Sequence, residues 1–115
     1  MDADARRLAL AMPEATENSH FHKPDFRVRN RIFMTLPMPG RAVLKLTPDQ
    51  QEMLVSAEPA MFAAVEGGWG RQGWTAVNLS AIDEITFRGA LRTAWLNVAP
   101  PALRKLLDKP EISPQ

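Results

Sequence analysis

A chain of 115 residues, 45% hydrophobic and 23% charged, is long enough for one domain with a single modest core and too short for a cleft between two lobes. It contains no cysteine, which excludes disulfides, thiolate catalysis and cysteine-bound metal and fits a reducing compartment. The net charge of +1 is uninformative as a total, while ten prolines demand short, sharply bounded elements.

Asp2, Asp4, Arg6 and Arg7 near the start form no signal-peptide pattern, and no apolar run reaches the length of a membrane span. A cytoplasmic protein without membrane contact is the expectation. The first ten or so residues read as a helix with Ala5, Leu8, Ala9 and Met12 on one face, stopped by Pro13. Four short strands follow, Asn18–His22, Asp25–Val28, Ile32–Leu36 and Arg41–Leu46. The turn signals between them are Lys23-Pro24, Arg29-Asn30 and Pro37-Met38-Pro39-Gly40. Connections this short force antiparallel pairing.

Thr47-Pro48-Asp49-Gln50 starts a helix, with Thr47 as cap, Pro48 at the first helical position and Gln50 placed to return the capping bond. Glu58–Phe62 reads as one short turn that sets Met61 and Phe62 beneath the segment Gly67-Gly68-Trp69-Gly70-Arg71-Gln72-Gly73-Trp74. That segment reads as a loop in which glycine lets a ligand or another piece of chain approach the backbone. Trp74–Leu79 alternates as a last strand, so Trp74 is expected to be mostly buried, and Trp69 and Arg71, held between glycines, exposed. A long helix follows. Asp83 caps it better than Ser80, because Phe87, Leu91, Ala94 and Val98 then form one apolar face and Ile82 and Phe87 a hydrophobic staple. Pro100-Pro101 ends it, Ala102–Leu107 gives a terminal turn, and residues 109–115 read as a loose tail outside the single domain of residues 1–108. The result is an α+β fold of two layers, in the order α-β-β-β-β-α-β-α. An antiparallel sheet of about five strands carries the helices on one face.

Charge is segregated along this order. From Ser19 to Leu46 lie Lys23, Arg27, Arg29, Arg31, Arg41 and Lys45 against Asp25 alone, whereas Thr47 to Glu66 carries four carboxylates and no Lys or Arg. Arg27, Arg29 and Arg31 at a hairpin tip would suit phosphate, since the guanidinium fork donates two parallel bonds. Arg71 could add a donor beside bare backbone amides, and Trp69 a surface on which a base could stack. The structural reading of the same loop has Trp69 and Trp74 covering one end of the core.

The segments Gly68-Trp69-Gly70-Arg71-Gln72-Gly73-Trp74-Thr75, His22-Lys23-Pro24-Asp25-Phe26-Arg27-Val28 and Arg41-Ala42-Val43-Leu44-Lys45-Leu46 resemble the small bacterial proteins of the MmcQ/YjbR family. The resemblance spans roughly residues 8–100. It implies the same element order and a DNA-binding role of the kind inferred from a winged fold. The chain departs from the family pattern at Arg29-Asn30, where a glycine-containing turn is usual. Asn30 accepts the left-handed conformation, which leaves the register open but keeps the hairpin.

Catalysis finds no support in these residues. His20 and His22, two apart in a strand, would share a face but lack a third metal ligand, so no metal or other cofactor is expected. Ser19 and His20 point to opposite faces, and no Cys or Tyr can substitute as nucleophile. The leading expectation is a monomeric, non-enzymatic nucleic-acid-binding module using Arg27, Arg29, Arg31, Arg41, Lys45 and Arg71 on phosphate, with Trp69 stacking. The alternative is a protein- or peptide-binding adaptor using a sheet edge and the Trp69 loop. A small-molecule site would need a pocket of convergent polar groups, which the sequence alone does not assemble.

Overall fold

The two long internal helices begin where their capping side chains put them. The computed structural model describes residues 2–108. Helix α2 (Pro48–Ala57) opens on the reciprocal box foreseen for Thr47 and Gln50: Gln50 N–H donates to Thr47 Oγ1 at 3.1 Å and Thr47 N–H to Gln50 Oε1 at 2.9 Å. Helix α4 (Glu84–Val98) opens on Asp83, whose carboxylate accepts from the Thr86 N–H at 3.0 Å, with Ile82 and Phe87 both buried as a staple requires. Helix α1 (Asp2–Leu10) buries Ala5, Leu8 and Ala9, and α5 (Pro101–Asp108) extends the expected terminal turn to two turns.

Six strands form one antiparallel sheet: β1 (Ala15–His20), β2 (Lys23–Val28), β3 (Arg31–Met38), β4 (Arg41–Lys45), β5 (Phe62–Ala64) and β6 (Trp74–Asn78), in the order β1-β2-β3-β4-β6-β5. The sixth strand is β5, which falls where the sequence reading ended its short turn. Three residues are too few to show alternation, and only pairing with β6 makes them a strand.

The first hairpin differs from the expected one in register. Its turn is Phe21-His22, with both residues at positive φ (53° and 63°), and Lys23 and Pro24 lie inside β2 opposite His20 and Ser19. A two-residue turn with two left-handed residues matches the right-handed twist of its strands, and that match overrides the turn preference of Lys23-Pro24. The second hairpin has the same turn at Arg29-Asn30 (φ 49° and 68°), joining Val28 to Arg31. A bulge follows, so that Phe33 and Met34 are both buried. The third turn narrows to Pro39-Gly40, with Met38 opposite Arg41.

Pleating sorts the strand side chains. Phe26, Val28, Ala42, Leu44, Thr75 and Val77 face the helices and are buried with Phe87, Leu91, Ala94 and Trp95. Trp95 is the fully buried tryptophan, its indole N–H donating to the Pro13 carbonyl at 3.1 Å. Helix α2 has no buried residue and is fastened by amides instead: Gln51 Nε2 donates to the Trp74 carbonyl at 2.9 Å, and Asn97 Nδ2 donates to Gln50 Oε1 at 2.8 Å. No described helix is long and apolar enough to cross a membrane.

Candidate functional site

The glycine segment is no open loop. Gly68–Arg71 forms a single helical turn, α3, running directly into β6. A Cβ on Gly70 would lie 1.7 Å from the Val65 carbonyl oxygen, and one on Gly73 1.9 Å from that of Leu46. The backbone that these glycines admit is therefore the protein's own. Gly73 is further held by its carbonyl, which accepts from the Leu46 N–H at 3.2 Å and the Thr75 hydroxyl at 2.8 Å. This packing projects Trp69, 63% exposed, from α3 toward Trp74, and the two indoles meet edge to face with centroids 5.9 Å apart. Trp74 is only half-buried, contrary to its expected burial, because it lies on the sheet face that the helices leave uncovered.

On that helix-free face a cavity of about 340 Å³ opens between α3 and the β1–β2 hairpin. Its walls are largely apolar, with Ile32, Val43, Val65, Trp69 and Trp74, and its polar groups come from His20, Lys23, Thr35 and Arg41. No carboxylate lines it. Beside it, Lys45 Nζ lies 5.5 Å from the Trp74 ring centroid and donates to the Gln72 carbonyl at 2.8 Å, which fixes both the cation and the indole. Arg41 Nε is buried without a hydrogen-bond partner among the described residues.

The arginine hairpin does not form the positive tip that its density suggested. Arg27 donates through Nε to Asp25 Oδ1 at 2.8 Å and through Nη2 to Asp25 Oδ2 at 3.2 Å. The same carboxylate lies 3.0 Å from His20 Nδ1, so an ionised Asp25 makes that nitrogen the protonated one. Asp25 is wholly buried; hydrogen bonds from Arg27 first, then from His20, hold its carboxyl below the ordinary range against the upward push of desolvation. Arg29 pairs with Glu14 at 2.8 Å, and that hydrogen bond lowers the Glu14 carboxyl as well. Arg31, opposite Val28, falls by pleating on the helix side of the sheet and not beside Arg27. Two of the three charges are thus neutralised internally and the third faces elsewhere.

Of the residues singled out for binding, the fold brings together Arg41, Lys45 and Trp69. It separates Arg27, Arg29 and Arg31 from them, and leaves Arg71 exposed on α3 with its guanidinium folded toward Gly68. His20 and His22 do not share a face, because His22 sits in the turn. Of the residues lining the cavity only Arg41 and Trp69 were expected to bind; those missed include His20, Lys23, Ile32, Val43, Val65 and Trp74. For Val43 the alternation of Arg41, Val43 and Lys45 against Ala42 and Leu44 was the available signal, whereas Lys23 needed the true hairpin register.

No curated protein matches the sequence. A crystal structure of a Deinococcus radiodurans protein with a domain of the DUF419 family superposes with a TM-score of 0.75 at 23% identity, over 96% of this chain and 90% of that one, and is similar in fold. The family model YjbR matches residues 10–97, most of the described chain. Matched by that model over most of its length, the chain belongs to the YjbR family.

Proposed function

We propose that this protein is a non-enzymatic binding module whose ligand seats in the cavity on the helix-free face of the sheet. The observation that carries this reading is the cavity itself, concave and largely apolar, edged by a few polar groups and of a size suited to a small molecule. Its walls are anchored in the fold: the turn bearing Trp69 packs through Gly70 on Val65, and Trp74 lies in a strand beside Lys45. A binding role is favoured because no hydroxyl is hydrogen-bonded to His20, the imidazole at the rim, among the described residues, so no nucleophile–base pair is assembled there. The lack of cysteine agrees with a cytoplasmic setting.

Amide and indole resonances recorded against a library of small aromatic and aliphatic compounds test this. Shifts clustered at Val43, Val65, Trp69 and Trp74 are expected; shifts scattered over the surface, or confined to the β5 edge, would count against it.

A second reading, single-stranded nucleic acid laid on the same face, is favoured by the exposure of Trp69 beside Lys45 and Arg41. It carries over the DNA-binding role that the family resemblance implies, with the binding surface moved from the arginine hairpin. Anisotropy of labelled single- and double-stranded oligonucleotides at two salt concentrations tests it, since phosphate-driven binding weakens steeply as salt rises.

A further inference from the structure

We infer that the cavity selects an organic anion, holding a compact acidic head on Arg41 and an attached flat apolar body against Trp74 and Val43. This rests on the reading of the cavity as the ligand site and adds the chemistry of the ligand. The first argument is the Arg41 Nε, buried and unpartnered. A guanidinium stays protonated and can only donate, so a buried N–H of this kind is costly until an acceptor meets it.

The second argument is what the fold does with its other charges. It gives Arg27 the Asp25 carboxylate and Arg29 that of Glu14, yet Lys23 and Arg41 line the cavity with no ion pair among the described residues. Asp25 does not serve them: among the described residues its carboxylate pairs with Arg27 and His20 alone. Two cations on an apolar, partly enclosed wall repel a cationic ligand, and an anionic acceptor meets a guanidinium N–H more strongly than a neutral one does.

The remaining space sets the rest of the ligand. With walls of Trp74, Trp69 and Val43, about 340 Å³ accommodates a fused-ring or similarly flat body beside the head. Carboxylate and phosphate monoester heads share the acceptor geometry that Arg41 requires.

The test uses the full chain with three probes of one shape, 2-naphthoate, 2-naphthyl phosphate and neutral 2-naphthamide. Dissociation constants come from calorimetry, and the Arg41 Nε–H resonance is followed by NMR. At least one acid is expected to bind about tenfold or more tightly than the amide and to shift the Arg41 Nε–H, as a charge-assisted bond requires. The tighter acid tells carboxylate from phosphate. Arg41→Gln should cut that preference at least about threefold, and Arg41→Lys, which keeps the charge and guards against a folding defect, should retain more of it. Amide binding as tight as both acids, or an undiminished preference in Arg41→Gln, would overturn the anion assignment while leaving the cavity as a ligand site. If none of the three probes perturbs the cavity, the ligand-site reading falls, and the assignment with it.

Discussion

Arg27 and Asp25, two residues apart on β2 and so on one face of the sheet, close a two-point ion pair with N–O distances of 2.8 and 3.2 Å around a carboxylate that is wholly buried. Arg27 itself retains 23% side-chain exposure, so one partner can reach water and the other cannot. The pair acts as a scaffold for the cavity rim, since Asp25 also orients His20.

Removing the carboxylate should therefore destabilise the fold. Asp25→Ala leaves Arg27 and His20 without their acceptor, and a loss of about 1–3 kcal/mol is expected from urea denaturation, below the range for a pair with both members buried because Arg27 can turn outward. A change under about 0.5 kcal/mol would show that the pair contributes nothing beyond solvation.

The pair also makes stability depend on acid. The Asp25 carboxyl is held below its ordinary value in the folded protein. Its contribution is then complete above the unfolded-state value of about 4 and is lost as pH falls through the lower folded-state value. The difference in unfolding free energy between the parent and Asp25→Asn should be larger near neutral pH than in acid below the unfolded-state value, where proton uptake by the unfolded chain erodes the parent's advantage. An equal difference at both pH values would contradict the shift.

Tryptophan truncations should separate core from site. Trp95→Ala removes a fully buried ring and its bond to Pro13 and should lower stability by about 3–5 kcal/mol. Trp69→Ala, on a side chain that is 63% exposed, should change stability by less than about 1 kcal/mol while weakening ligands of the cavity. Equal losses in the two variants would make Trp69 part of the scaffold.

The glycines of α3 should rank by backbone contact. Gly70→Ala drives a methyl group into the Val65 carbonyl and should destabilise by more than about 2 kcal/mol, displacing Trp69 with it. Gly68→Ala meets only the Arg71 guanidinium at 3.5 Å, an ordinary contact, and needs no positive φ, so a change under about 1 kcal/mol is expected. Thermal melts that reverse this order would refute the packing of α3 on Val65.

Turn strain offers a stabilising change. Phe21 and His22 both occupy the left-handed region, and Phe21 is 88% exposed. His22→Gly relieves one such residue and should raise stability by up to about 1 kcal/mol, less the added freedom of glycine in the unfolded chain. A loss of stability would mean that the His22 side chain makes a contribution larger than its backbone strain.

Much of the fold is legible in the sequence where the forces act over a few residues. The capping box at Thr47 and Gln50, the Asp83 cap and the stripe Phe87, Leu91, Ala94 and Val98 are local geometry, and each occurs as the residues dictate. The i, i+2 spacing of Asp25 and Arg27 also contains their pairing, which cancels the positive patch that the density of arginine implies. Long-range contacts decided the rest. Glu14 reaches Arg29 because β1 lies beside β2, and Phe21-His22 became the turn because strand twist and pairing outweighed the local preference of Lys23-Pro24. The cavity gathers His20, Ile32, Arg41, Val65 and Trp69 from separate segments of chain. Alternation in Arg41–Leu46 tells that two faces exist, but which face stays uncovered, and which charges find a carboxylate there, follows only from where the helices pack and where the hairpins register.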